Sequence, residues 1–316
     1  MAPRCIVEVR WGRRTGTKAV IEAGKRLRVG GNDRADLVVP HDTKLSGAHF
    51  ELRWDGRRCK LRDLGSITGT RLAGAPVTEA DVPHGGWIQA GETDFLVYVE
   101  GKTPPREAEE ESDGGLGEEE LRRREERRVA AEGALTELRE EAANAPLYAV
   151  LDAARDERIL ELLRESVERH QSLYEGAPGE PLEDVAPYLA GPLGPDSRLL
   201  ERLVLEGWGR RWGIWCGSKA PFDEVRRHWR RFLMVELEDS GERVYFRFYD
   251  PGVLSVFLPI CNERQRDAFF GRDMLSMIRT DDGGTSRYPT PRVPDPQHDG
   301  MAVAEHGTLP SIYDDP

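Results

Sequence analysis

Residues 101 to 117, GKTPPREAEEESDGGLG, set the strongest limit on how this chain folds. The stretch is rich in Glu, Pro and Gly and nearly devoid of apolar side chains, so it cannot bury enough surface to offset the entropy of ordering itself. It is therefore expected to be a flexible tether. A chain interrupted in this way needs a separate core on each side, and 316 residues leave room for two ordinary domains plus connectors. The hydrophobic content of 38% is lean for a fully packed globule, in keeping with part of the chain being linker.

Before the tether, short alternating segments (CIVEVRW, AVIEA, RLRVG, DLVVP, HFELRW, CKLRDL, GTRLAG, WIQA and DFLVYVE) are separated by turn formers, among them Gly30-Gly31-Asn32-Asp33, Asp55-Gly56 and Gly85-Gly86. This rhythm predicts a small all-β sandwich over residues 1–100. Asp55-Gly56 is the clearest hairpin signal. Gly30, Asp36-Leu37-Val38-Val39, Ser46-x-x-His49, Asp63-Leu64-Gly65-Ser66-x-x-Gly69-Thr70 and Gly85-Gly86-Trp87-Ile88, in that order, resemble a forkhead-associated (FHA) domain. The resemblance implies an eleven-stranded sandwich that presents phosphothreonine peptides to loops at one end. It also implies a phosphate-binding arginine after the first glycine, a phosphate-binding serine often followed by a basic residue, and an asparagine that grips the peptide backbone.

Here those positions hold Gly31, Ser46 followed by Gly47, and Thr68, so only the serine remains. Charge-assisted bonds from arginine contribute about 1.5 to 3 kcal/mol each, and a lysine lacks the forked geometry. The expectation is a degenerate peptide face formed by Gly31, Arg34, Lys44, Ser46 and Thr68, with Lys44 and Arg34 as substitute cations and phosphate-dependent affinity mostly lost. His49 is read as a buried support for the loop, not as a catalytic base.

After the tether, EEELRRREERRVAAEGALTELREEAAN carries Glu and Arg at helical spacings, which predicts a solvated helix within a 101–145 linker. Leu121, Leu135 and Leu138 form a weak stripe, either a short coiled coil or one damp face of a single helix. Residues 146–279 mix strand-like and helix-like segments, as an α/β or α+β domain does. Residues 280–316 are too rich in Pro and Gly to pack and are expected to be a disordered tail.

LYAVLDAA, then APYL, and above all FRFYDPGVL followed by FFG are similar to the adaptor-chaperone family of bacterial type VI secretion, long catalogued as a domain of unknown function. The resemblance implies a protein that loads a toxic effector onto the spike protein VgrG without being an enzyme. Within it, Arg247 and Asp250 are expected to form a buried pair that fixes the turn at Pro251. Trp208, Trp212 and Trp229 are candidate partner anchors, although such a cluster also suits a core. Arg226, Arg227, Arg230 and Arg231 stripe one side of a helix, as either a solvated face or a dock for an acidic segment.

Other classes receive little support. The net charge of −12 is carried by the residues after 100, while residues 1–100 hold 16 Lys+Arg against 13 Asp+Glu. No clustered cationic face for nucleic acid is indicated. Cys5, Cys59, Cys216 and Cys261 are widely spaced without metal-ligand patterns, so neither a zinc site, a disulfide framework nor any cofactor is expected. No signal peptide or membrane span is visible, and no nucleophile motif appears, so a cytoplasmic non-enzymatic adaptor is the favoured reading. The alternative is a phosphothreonine-dependent signalling scaffold.

Overall fold

The computed structural model describes residues 2–10, 16–105, 117–174, 185–237, 240–281, 284–288 and 308–309. Chain contacts group these into two units, the first holding the N-terminal sandwich and also Glu161–Arg169. The tether expected at 101–117 lies mostly outside the described residues, as does most of the expected tail.

The first unit is a sandwich of eleven strands: Cys5–Val9 (β1), Lys18–Ile21 (β2), Arg26–Gly30 (β3), Leu37–Val38 (β4), Phe50–Trp54 (β5), Cys59–Asp63 (β6), Thr70–Leu72 (β7), Ala75–Val77 (β8), Glu79–Val82 (β9), Gly86–Ala90 (β10) and Thr93–Val99 (β11). One sheet has the order β2-β1-β11-β10-β7-β8 and the other β4-β3-β5-β6-β9. Period-two alternation decides which side chains meet between them: in β5, Phe50, Leu52 and Trp54 are buried while Arg53 is exposed. Phe50 and Phe95, from opposite sheets, meet edge-to-face with ring centroids 5.4 Å apart, and burying each such ring contributes roughly 1.5 to 3 kcal/mol. The β5–β6 hairpin turns where the sequence indicated, with Gly56 at φ +96 and Asp55 Oδ1 accepting from the Arg57 and Arg58 amides.

The second unit is mixed α/β. A long helix, Glu118–Asn144 (α1), leads into Leu147–Asp152 (β12), Arg158–Arg164 (α2), His170–Ser172 (β13), Pro187–Leu193 (β14), Arg198–Gly207 (α3), Gly213–Ser218 (β15) and Phe222–Arg230 (α4). There follow Met234–Leu237 (β16), Arg243–Tyr245 (β17), Pro251–Ile260 (α5), Glu263–Phe270 (α6), Met274–Asp281 (β18), Gly284–Tyr288 (β19) and Thr308–Leu309 (β20). An antiparallel sheet, β13-β14-β12-β15-β18-β19, runs through the middle. All six residues of β12 are buried, so both of its faces are covered. Tyr148 and Val150 join the aromatic core that includes Phe222, Trp229, Phe248 and Phe269.

Two sequence expectations need correction. The helix α1 is not solvated throughout: Ala131, Ala134, Leu135, Leu138 and Glu141 are buried, Arg139 pairs with Glu201 of α3 at 2.7 Å, and Glu141 pairs with Arg287 of β19 at 3.0 Å. Its first half keeps the expected character, with Leu121 exposed and Arg122, Arg123 and Arg128 paired to Glu one turn away. Structure also continues past 279, because β18 runs to Asp281 and pairs with β19. Pairing along a hairpin satisfies backbone groups irrespective of apolar content, which is why composition gave no sign of it.

Candidate functional site

One end of the sandwich is built by the loops after β3, β4 and β6. Close backbone approach requires glycine here: a Cβ on Gly30 would lie 2.2 Å from the Gly47 carbonyl oxygen. A Cβ on Gly31 would lie 2.9 Å from the Leu45 carbonyl oxygen, and the Gly31 amide donates to the Ser46 carbonyl at 3.0 Å. The side-chain amide of Asn32 covers Gly47, so that a Cβ there would meet Asn32 Nδ2 at 2.6 Å. Both positions expected to bear cations are thus glycines: at 31 the side-chain space is closed by backbone, and at 47 it is taken by the tip of the Asn32 side chain.

The remaining candidates are turned toward each other more than toward a ligand. Ser46 Oγ accepts from the Ile67 amide at 3.1 Å, and Thr68 Oγ1 donates to the Lys44 carbonyl at 3.2 Å. Lys44 Nζ sits 2.7 Å from Glu92, and that hydrogen bond holds the ammonium pKa above its usual value. Arg34 is exposed and forms no ion pair among the described residues. Thr68, Gly69, Arg71, Gln89 and Gly91 line a cavity of about 280 Å³ beside these loops. Ile67, which the sequence reading did not single out, projects from the same face at 92% exposure.

The supports under the loops are intact. His49 is fully buried, with Nδ1 accepting from the Ser46 amide at 3.2 Å and Nε2 facing the Gly69 carbonyl at 3.1 Å, an arrangement that ties two loops together and leaves no ring nitrogen for catalysis. Asp63 Oδ1 and Oδ2 accept from the Gly65 and Ser66 amides and from the Ser66 and Thr70 hydroxyls. Burial works against the carboxylate, but the Ser66 and Thr70 bonds outweigh it and lower the pKa.

In the second unit the expected Arg247–Asp250 pair is replaced by an exchange of partners. Arg247 bonds Asp152 at the end of β12, and Arg155 bonds Asp250. Both aspartates are buried while the two arginine side chains remain 42% and 34% exposed. Asp250 also caps α5, accepting from the Gly252 amide at 2.8 Å, with Pro251 in the first turn where its missing N–H costs nothing. The predicted role in fixing this turn is present, with different partners.

The tryptophan anchors are core. Trp208, Trp212 and Trp229 are 5%, 4% and 0% exposed, and Trp229 stacks on Phe248 at 5.0 Å. Of the arginines, Arg227 and Arg231 are exposed, whereas Arg226 donates to the Ser172 and Tyr174 carbonyls at 2.8 and 3.3 Å and Arg230 is half-buried. Between them, His228 faces the Phe269 carbonyl through Nε2 at 2.8 Å and Arg231 through Nδ1 at 2.8 Å. Burial, with the Arg231 charge in addition, pushes its pKa down to about 4, so the ring is neutral and Nε2 carries the proton. All four cysteines are free and buried, and among the described residues no cluster of His, Cys, Asp or Glu could hold a metal and no helix is long and apolar enough to cross a membrane.

This geometry and the family comparisons agree on the class: an FHA-type β-sandwich and a mixed α/β domain in one chain. Residues 27–91 match the FHA domain family, and residues 147–268 match a family described as "Domain of unknown function (DUF4123)". The chain is therefore an FHA domain fused to a DUF4123 domain. It is 38% identical over 71 residues to the FHA domain-containing protein FhaA of Mycobacterium tuberculosis, an alignment spanning 22% of this chain and 13% of that protein. Among solved structures, the FhaA FHA domain in complex with a partner's intracellular domain is 30% identical, covering 29% of this chain and 98% of that one with a TM-score of 0.27. A structure from work on phosphothreonine-dependent FHA interactions is 29% identical, covering 30% and 95% with a TM-score of 0.28.

Proposed function

We propose that this chain is a non-enzymatic cytoplasmic adaptor. Its DUF4123 domain holds a secreted type VI effector and helps load it onto VgrG, and its FHA sandwich adds a docking face that works without phosphate. The adaptor half rests on the similarity carried by FRFYDP and its neighbours. In support, Arg247 and Asp250 are engaged with Asp152 and Arg155 in holding the start of α5, a structural use of the charges.

The observation that carries the phosphate-independent part is the filling of positions 31 and 47: Leu45 and Asn32 stand where cationic side chains would emerge, while His49 and Asp63 still hold the loops in place. A docking face that keeps its frame and lacks its phosphate grip suits an unphosphorylated partner. Exposed Ile67 supplies an apolar contact on it.

Co-expression of the full chain with a type VI effector and a VgrG protein from the same host tests this reading. A stoichiometric complex is expected, and Ile67→Asp is expected to weaken whichever contact the FHA face makes. A second reading, a phosphothreonine-responsive scaffold, is favoured by Ser46 and by exposed Arg34, which forms no ion pair among the described residues. It requires capture that phosphatase abolishes.

A further inference from the structure

The strand β16, Met234–Leu237, lies in the middle of a three-stranded sheet of order β17-β16-β20. Its place is fixed from one side. It pairs antiparallel with β17 at Met234↔Tyr245, Val235↔Val244 and Glu236↔Arg243, and the Phe246 amide donates to the Leu233 carbonyl at 2.9 Å just before it. Phe232, Leu233 and Val235 are buried in the aromatic core, so the strand is held whether or not anything pairs with its other edge.

That other edge is closed by β20 through two parallel pairs, Glu236↔Thr308 and Leu237↔Leu309. The closing strand is short for a local reason. Thr308 is β-branched and favours an extended strand, whereas Gly307 before the pair does not and Pro310 after it has no amide to donate. Parallel pairing is also slightly weaker per residue than antiparallel. Two such pairs make β20 the weakest joint of this sheet, and without it the edge of β16 presents bare N–H and C=O groups to any extended chain. Beside that edge Met234 and Tyr245 sit opposite each other, 42% and 40% exposed, an apolar shoulder for the side chains of an incoming strand. We infer that the edge of β16 is a strand-acceptor site and that Thr308–Leu309 is a displaceable strap filling it in cis, so that an extended segment of another protein pairs there only when the strap is off. Main-chain pairing of this kind requires neither an effector nor VgrG, so the strap and the adaptor reading stand or fall separately.

The test uses the full chain and its full-length variant Thr308→Pro/Leu309→Pro, whose strap has no amide to donate to a ladder. Residue-resolved amide exchange is followed at 234–237. In the variant at least one amide of this stretch is expected to exchange about 10-fold faster or more, with the melting temperature and the exchange of the buried strand β12 unchanged. A synthetic peptide of residues 303–312, VAEHGTLPSI, is the probe for strand addition, and its binding is read from the same amides. It is expected to bind the variant with a dissociation constant on the order of a millimolar, since it offers little beyond two main-chain pairs. The unaltered chain should bind it more weakly by the same factor that separates the exchange rates, because both quantities report how often the strap is off. Unchanged exchange in the variant overturns the inference, whether β20 does not pair in solution or a second copy of the chain covers the edge. Equal affinity of the peptide for the two proteins, or binding to neither, overturns it as well.

Discussion

Arg247 does not bond the aspartate three residues after it; its guanidinium closes on Asp152, 95 residues earlier in the chain. The same exchange gives Asp250 to Arg155, so two ion pairs join the end of β12 to the start of α5. The aspartates are the buried members, which makes the effect of removal unequal. Deleting one partner of a buried pair is costly chiefly through the charge left behind.

Asp250→Ala removes both the Arg155 partner and the α5 cap, and is expected to destabilise the second unit by about 2 to 4 kcal/mol. Arg247→Gln keeps the α5 cap but leaves the buried Asp152 carboxylate with Arg155 Nε at 3.5 Å, and is expected to cost somewhat less, about 1 to 3 kcal/mol. Thermal or urea unfolding of both variants checks the ordering.

The filled glycine positions predict that restoring an arginine does not restore phosphate binding. In Gly31→Arg the Cβ meets the Leu45 carbonyl at 2.9 Å, so the loop must shift before the guanidinium can be placed. Titration of the full chain with paired phosphorylated and unphosphorylated threonine peptides should give equal affinities, in this variant as in the unaltered chain. A tenfold preference for phosphate in the unaltered chain, lost in Ser46→Ala, contradicts the account.

Acid should weaken the second unit over a defined range. The His228 pKa is lowered by burial from 6.5 to about 4, so between those values the unfolded chain takes up a proton that the folded ring refuses. Its contribution is present in full above pH 6.5 and is lost as the pH falls toward 4, at most about 3 kcal/mol. His228→Gln, which keeps a donor for the Phe269 carbonyl, should flatten that part of the pH-stability curve.

Trp229→Ala is expected to cost about 3 to 5 kcal/mol, since the ring is fully buried among Phe232, Phe248 and Phe269. Ile67→Ser, at 92% exposure, should change stability by less than about 0.5 kcal/mol. Chemical denaturation of the two distinguishes an anchor from a core ring.

The sandwich was legible because alternation and turn glycines are local signals: Phe50, Leu52 and Trp54 declare a face, and Gly56 declares a hairpin. The burial of Trp229 was also readable, since Phe222, Val225 and Trp229 fall at i, i+3 and i+7 and all three are buried. Crowding of tryptophans in the sequence left a surface anchor and a core open alike. What no local signal carries is the choice of partner across the chain, which is why Arg247 was assigned to its neighbour Asp250. Ile67 was missed for a related reason: one apolar residue inside a turn has no period, and only the fold shows how fully it is exposed on the loop face.

The central claim, capture of partner proteins without phosphate, is tested most directly by co-purifying the full chain with a type VI effector and VgrG of the same host before and after phosphatase treatment. The account predicts a stoichiometric complex that phosphatase leaves intact. Failure to retain either protein, or release of both on dephosphorylation, would contradict it.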